Sequence, residues 1–235
     1  MRALLLAAGL GTRLRPLTDH MPKCLVPIGG RPLLAYWLDG LLCDRRIEHI
    51  LINTHYMAAE VRAFVDTLPS RDRIDLVHEP ELLGTGGTIL ANRRYFGDRP
   101  LFVAHADNLT DAALGGLIDA HLAAGPGILA TLLAFRTLTP RSCGILELDA
   151  AHRVIGFHEK VADPPGNLAN GAVYVFAPEV VERIAALGRS TVDLSTEIIP
   201  GLLPRILAVE HAGFFMDIGT PEALALARST FPAKT

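Results

Sequence analysis

Apolar and polar positions along this chain fall into short blocks whose period changes from one block to the next. An unbroken apolar run over Ala3 to Ala8 predicts a buried strand. Helical spacing over Leu33 to Leu42, entered through Pro32, predicts a helix whose first turn tolerates proline. The alternation continues with a strand over Ile47 to Asn53, a helix over about Met57 to Thr67 and a strand over Ile74 to His78. A helix near Gly87 to Tyr95 then precedes a strand over Leu101 to Ala106 that ends in Asp107. Strand and helix in turn are the rhythm of βαβ units, so the pattern predicts an α/β, three-layer domain with a mostly parallel sheet.

From about Ile128 the rhythm changes. Leu129 to Phe135, Gly144 to Leu148, Val154 to His158 and Gly171 to Phe176 read as strands with few helices between them, which predicts added antiparallel strands and hence a mixed sheet. Helices over Pro178 to Leu187 and around Leu194 to Leu203, a strand over Gly213 to Met216 and a last helix over Pro221 to Ser229 complete the pattern. No repeat, low-complexity tract or linker interrupts it, so residues 1–235 are expected to form a single domain.

Composition narrows the function classes. A formal net charge of −3 and a pI near 6.3 supply no broad basic field, which argues against nucleic acid or an anionic membrane as main partner. The apolar runs are too short to span a membrane, and the first is read as a strand and not as a signal peptide. Cys24, Cys43 and Cys143 are odd in number and far apart, which fits neither a disulfide framework nor a metal-binding pair and points to a reducing cytoplasm. The sequence leaves a homo-oligomer open.

The most informative segment follows the first strand: Ala8-Gly9-Leu10-Gly11-Thr12-Arg13-Leu14-Arg15-Pro16-Leu17-Thr18, then Pro22-Lys23. Glycines let backbone N–H groups approach phosphate oxygens, Thr12 adds a hydroxyl, and Arg13, Arg15 and Lys23 add positive charge. A Walker A loop would need Lys and then Ser or Thr after the second glycine, where this chain has Thr12-Arg13-Leu14. A dinucleotide-binding loop would need glycine at Leu14 and a helix that Pro16, Pro22 and Pro27 forbid. The expectation is an extended loop wrapped around a triphosphate.

Gly9-x-Gly11-Thr12-Arg13-Leu14-x-Pro16-Leu17-Thr18 with Pro22-Lys23-x-Leu25-Val26-Pro27 resembles the signature of the sugar-1-phosphate nucleotidyltransferases. The resemblance implies a three-layer αβα Rossmann-like fold, with residues 1–127 binding nucleotide and 128–235 binding sugar. It also implies that Ala8, Gly9, Gly11, Thr12 and Arg13 hold the nucleotide and that Lys23 lies between the two reacting phosphates.

Two acidic residues end apolar strands: Asp107, and Asp217 after Phe214-Phe215-Met216. By position alone each is a cation ligand or a turn and cap residue. By resemblance, Asp107 matches the family's first metal aspartate and Asp217-Ile218-Gly219-Thr220-Pro221-Glu222 the segment of the second. The chain departs from the family's Gly-Asp at the first site, reading His105-Ala106-Asp107-Asn108. Two carboxylates without a histidine cluster fit Mg²⁺, which keeps waters and substrate phosphates as its other ligands, and His105 and His158 read as packed strand residues.

Glu159-Lys160 and Asn170-Gly171 supply a carboxylate, an ammonium and an amide that read either as solvated surface or as groups for sugar hydroxyls and phosphate. The resemblance assigns Glu159, Lys160, Asn170 and the backbone of Gly144 to the sugar. Glu79-Pro80-Glu81-Leu82-Leu83-Gly84-Thr85-Gly86-Gly87 resembles the family's base-side loop, in a form that points to guanylyltransferases acting on mannose or D-glycero-D-manno-heptose 1-phosphate. Read as residues, Glu79 is either an acceptor for guanine's donor edge or a solvent-facing loop residue. A sugar 1-phosphate is largely a dianion near neutrality, so the implied transfer to it from a nucleoside triphosphate, releasing pyrophosphate, needs no general base. Uridylyl or thymidylyl transfer to a hexose 1-phosphate and a catalytically silent nucleotide-sugar-binding subunit are the alternatives.

Overall fold

The computed structural model describes residues 1–231. Its strands and helices run in chain order β1 (Arg2–Leu6), β2 (Pro27–Ile28), β3 (Arg31–Pro32), α1 (Leu33–Leu42), β4 (His49–Thr54), α2 (Ala58–Asp66), β5 (Ile74–His78), α3 (Gly84–Ala91) and α4 (Arg93–Phe96). They continue with β6 (Leu101–His105), β7 (Asn108–Thr110), α5 (Leu114–Ala123), β8 (Ala130–Arg136), β9 (Gly144–Leu148), β10 (Val154–Glu159), β11 (Leu168–Phe176), α6 (Pro178–Ala185), β12 (Ile206–His211), β13 (Phe215–Asp217) and α7 (Pro221–Thr230). The contacts divide into two compact units, each built from separate stretches of chain. The first comprises residues 3–82, 105–112 and 213–231, and the second residues 1–2, 83–104 and 113–212.

In the first unit β1 neighbours β4, and β4 pairs in parallel with β5, Ile50 opposite Ile74 and Thr54 opposite His78. Leu4, Leu5, Ile50, Leu51 and Ile52 are buried, the continuous apolar run expected of strands covered on both faces. Helix α1 buries Leu33, Leu34, Trp37, Leu38 and Leu41, and the Trp37 indole N–H donates to the Asn108 carbonyl at 2.7 Å. Strands β7 and β13 form an antiparallel ribbon that sets Asp217 opposite Asn108. Thr220 caps α7, its hydroxyl accepting the Ala223 N–H at 3.2 Å, with Pro221 in the first turn. Leu14, Val26, Ile28, Leu33, Leu109, Ile218, Leu224 and Ala227 pack into one cluster beneath these elements. The loop after β1 is thereby anchored from below by Leu14.

In the second unit the long strand β11 pairs antiparallel with β6 and β8 and, at Ala169, with β9. Strands β9 and β10 make an antiparallel pair, and β12 joins β8 in parallel. Tyr174 and Phe176 are fully buried and stack at 5.0 Å between ring centres. The mixed α/β pattern of the sequence is therefore present, with parallel pairs in both units and antiparallel pairs around β11. Among the described residues no helix is long and apolar enough to cross a membrane.

Several elements differ from the pattern read off the chain. Helix α5 was not foreseen: Leu114-Gly115-Gly116-Leu117-Ile118 carries two poor helix formers in its first turns, and its apolar positions are too dense to show a period. Strands β7 and β12 were also missed. The helix expected around Leu194 to Leu203 is a π-helical turn, Leu194–Ile198, followed by a 3-10 turn, Ile199–Leu202, because Pro200 has no N–H for an α-helical bond. Helix α3 starts at Gly84, three residues before the expected Gly87, and gives way to α4 at Asn92.

Candidate active site

The loop after β1 is neither a helix nor a free coil. Three 3-10 turns, Thr12–Leu14, Leu17–Asp19 and Lys23–Leu25, carry it back under its own entry, as its prolines require. Gly11 sits at φ 64°, and a Cβ there would stand 3.0 Å from Thr18 Cγ2 and 3.3 Å from Lys23 Cβ, so only glycine lets the turn close on Lys23. The Gly11 carbonyl accepts both the Leu14 N–H at 2.9 Å and the Thr18 hydroxyl at 2.8 Å. A Cβ on Gly9, in contrast, would meet nothing within 4 Å, which leaves the backbone there open to a ligand's approach.

Lys23 is the centre of the arrangement. Its ammonium donates to Asp107 Oδ2 at 2.6 Å and to Asp217 Oδ1 at 3.1 Å, with 9% of its side chain exposed against 35% and 52% for the two aspartates. Residues 84 and 194 positions away are brought to it by the β7–β13 ribbon, which also makes Ile218 N–H donate to the Asp107 carbonyl at 2.9 Å. Arg13 adds a looser, solvent-exposed contact to Asp217 Oδ2 at 3.7 Å, and Gly219 keeps that corner clear, since a Cβ there would lie 2.8 Å from the guanidinium. Arg15, expected to add charge to the loop, pairs instead with Asp19 at 3.1 Å. Burial pushes the Asp107 carboxyl up, but the Lys23 ammonium, His105 and the hydrogen bond from Lys23 outweigh it and hold the group below its ordinary range.

These two carboxylates already converge on one cation, Lys23, and offer the hard oxygen donors that Mg²⁺ takes. Among the described residues no group of three or more His, Cys, Asp or Glu side chains is arranged for a metal. The donor set therefore fits an ion that takes one or two protein carboxylates and completes its shell with water and phosphate.

Glu79 lies just past the end of β5 in the same unit and is not a solvent-facing loop residue: it is buried, and its Oε1 accepts the Asn53 amide at 3.0 Å. Asn53 was not singled out in the sequence. A polar residue closing the apolar run of β4 was the available signal.

The second unit holds the other expected residues. Gly144 on β9 stands opposite Glu159 on β10, and a Cβ at Gly144 would fall 2.6 Å from Glu159 Oε2 and 2.7 Å from the Phe157 ring. Lys160 sits at φ 51°, a left-handed backbone rare for lysine, and its ammonium lies 3.2 Å from Glu159 Oε1. Asn170 opens a bulge in β11, where the register against β8 slips between Asn170 and Tyr174 and Ala172 adopts φ 51°. Its Oδ1 accepts the Ala172 N–H at 3.0 Å and its Nδ2 donates to the Tyr174 hydroxyl at 2.6 Å. Burial pushes that phenol up, past the effect of its hydrogen bonds with Asn170 and Ser195. His158 lies on the end strand β10, partly exposed and paired with Glu147, and is not packed inside.

Gly84 and Thr85 have a packing role that the sequence did not suggest. The Gly86 and Gly87 N–H groups donate to the Val192 carbonyl at 2.8 and 3.2 Å, and a Cβ on Gly84 would lie 2.6 Å from that oxygen. The Thr85 hydroxyl accepts the Leu194 N–H at 2.7 Å and donates to Asp193 at 3.2 Å. The glycines are thus a surface on which residues 190–194 lie flat.

The chain belongs to the nucleotidyl transferase family, whose model matches residues 2–233. It is 36% identical over 225 residues to the mannose-1-phosphate guanylyltransferase of Mycobacterium tuberculosis, covering 94% of this chain and 61% of that protein. It is 31% identical over 231 residues to the mannose-1-phosphate guanylyltransferase catalytic subunit beta of Danio rerio, covering 94% and 62%. The chain therefore spans less than two thirds of the length of these curated relatives. Among solved structures, HddC from Yersinia pseudotuberculosis superimposes with a TM-score of 0.80 at 24% identity, over 98% of this chain and 99% of that one. A candidate glucose-1-phosphate thymidylyltransferase from Bacillus anthracis, solved with sucrose, gives 0.86 at 22%, over 97% and 94%. At these identities the structures establish the fold, the αβα Rossmann-like nucleotidyltransferase fold.

Proposed function

We propose that this protein transfers a nucleotidyl group from a nucleoside triphosphate to a sugar 1-phosphate, releasing pyrophosphate, and that the pair is GTP with mannose 1-phosphate or D-glycero-α-D-manno-heptose 1-phosphate. The observation that carries the proposal is the Lys23 ammonium held between Asp107 and Asp217 beside a glycine turn that closes on it. Guanine and mannose are supported by the names of the relatives and by a buried carboxylate, Glu79, at a strand's C-terminal end. In this proposal residues 1–127 serve the nucleotide and 128–235 the sugar within one nucleotidyltransferase domain, and the odd number and wide spacing of Cys24, Cys43 and Cys143 support a reducing, cytoplasmic setting.

Ala8, Gly9, Gly11 and Thr12 hold nucleotide phosphates through backbone N–H groups and a hydroxyl, and Arg13 and Lys23 offset their charge. Glu79 accepts from the base, with Gly84 and Thr85 completing the base-side loop. Gly144, Glu159, Lys160 and Asn170 bind the sugar, Glu159 and Asn170 through hydroxyls and Lys160 through phosphate. Asp107 and Asp217 would hold Mg²⁺, which when bound with substrate phosphates neutralises their charge and lowers the repulsion between two anions. The attacking phosphate oxygen is already ionised, so no side chain has to remove a proton, and alignment and charge supply the catalysis.

A pyrophosphate-release assay with Mg²⁺, crossing five nucleoside triphosphates with mannose, manno-heptose, glucose and N-acetylglucosamine 1-phosphates, tests this. Release with GTP and a manno sugar is expected, with at least a ~100-fold loss in Asp107→Ala. Turnover with another pair would replace the substrates, and near-normal turnover of Asp107→Ala would reject the site. Nucleotide binding without turnover across the grid would favour a silent binding subunit.

A further inference from the structure

We infer that Asn53 is a positioning residue of the nucleotide site, tying the start of the phosphate loop to the carboxylate that reads the base. The inference rests on the assignment of Glu79 as base acceptor. Asn53, near the end of β4, has 3% of its surface exposed, as has Glu79. Its Oδ1 accepts the N–H of Ala7 at 2.7 Å, and its Nδ2 donates to Glu79 Oε1 at 3.0 Å. Ala7 is the first residue after β1 and stands two before Gly9, so this bond fixes where the loop leaves the sheet.

The chemistry selects the residue. Only a side chain with an acceptor and a donor on one planar group makes both bonds at once: aspartate would lack the donor, and leucine both. The two bonds also agree on the orientation of the amide, because turning it over would set its oxygen against the carboxylate and its NH₂ against an N–H. The backbone of Glu79 is fixed independently. Its N–H donates to the Thr54 carbonyl at 2.8 Å, and His55 Nδ1, as the N–H tautomer, donates to its carbonyl at 2.7 Å. The main chain of Glu79 is thus held by these two bonds, and Asn53 holds one oxygen of its carboxylate. One amide thereby couples the aim of the base acceptor to the exit of the phosphate loop.

Calorimetric binding of GTP, and of ITP, which lacks guanine's 2-amino donor, to the wild type, Asn53→Ala, Glu79→Gln and the double variant tests the coupling. Each single change is expected to weaken GTP by ~10-fold, as for loss of a hydrogen bond to a charged group, and to shrink the GTP-to-ITP ratio. The double variant should be little weaker than the worse single one. Multiplying losses, or Asn53→Ala binding like wild type, would overturn the inference. Should Asn53→Ala fail to fold, Asn53→Asp, which opposes two carboxylates, should bind poorly, and Asn53→Asp with Glu79→Gln, which restores a donor, should regain phosphate affinity but not guanine preference. An unrescued double or an unimpaired single would overturn it equally. If the wild type prefers another nucleotide, the guanine assignment fails, and the same cycle run with that nucleotide still decides whether Asn53 and Glu79 are coupled.

Discussion

Replacing Lys23 by methionine removes one positive charge while keeping nearly all of the side chain's volume, and so isolates what the ammonium does for the fold. It lies 2.6 Å from Asp107 and 3.1 Å from Asp217, and without it two carboxylates face each other across the vacated position. Removing one partner of a fully buried ion pair costs about 3–5 kcal/mol. Here Asp107 and Asp217 keep 35% and 52% of their side-chain surface exposed, so water hydrates and screens them. The discounted cost is roughly 1–2 kcal/mol. For a chain of this size that lowers Tm by about 2–8 °C.

The pH dependence makes the test specific. Asp107 is held below its ordinary value of 3.8 in the fold, so its contribution is complete above that value and is lost as pH falls through the lower folded pKa. In Lys23→Met the ammonium's attraction and its hydrogen bond are lost, so the Asp107 pKa rises from its lowered value. The gap in Tm between wild type and variant should therefore be widest near neutrality and shrink as pH falls below 3.8. Thermal unfolding followed by circular dichroism at a series of pH values measures it. A gap that is constant or grows in acid, or a variant as stable as wild type at neutral pH, would refute the reasoning.

Three further outcomes are expected. Burial pushes the Cys24 thiol up to about 12; a thiol reagent on the native protein should modify exposed Cys43 and reach Cys24 only after denaturation, and fast native labelling of Cys24 would contradict its burial. Gly87→Ala drives a methyl into the Ser190 carbonyl, an overpacking that should cost about 1–3 kcal/mol in urea unfolding; an unchanged midpoint would mean that residues 190–194 do not lie flat on the glycines. Gly144→Ala places a methyl 2.6 Å from Glu159 Oε2 and should raise KM for the sugar 1-phosphate more than for the nucleotide, which steady-state kinetics with each substrate varied would show. Equal effects on both would remove Glu159 from the sugar side.

The sequence by itself determined the elements that announce themselves locally. Helix α1 lies over Leu33–Leu42, as its spacing predicts, because it buries one continuous apolar face, and strand β5 lies over Ile74–His78 with Ile74 buried at its start. The glycine turn of the loop was equally legible, since a backbone that must turn at φ 64° names its own residue at Gly11. Helix α5 was not, because two glycines and an apolar surround erase the helical period, and its stability comes from what it packs against.

The tertiary structure alone decided which charges meet. Lys23, Asp107 and Asp217 each read as separate candidates along the chain, and their convergence on one ammonium depends on a ribbon whose two strands are 105 or more residues apart in sequence, Asn108 to Asp217 being the pair that matters. That Glu79 is buried beside Asn53 and does not face solvent was likewise set by the fold. Local pattern reports which face of an element is apolar. The partners of a polar side chain are set by neighbours across the sheet, where register and not sequence distance fixes who is within 3 Å.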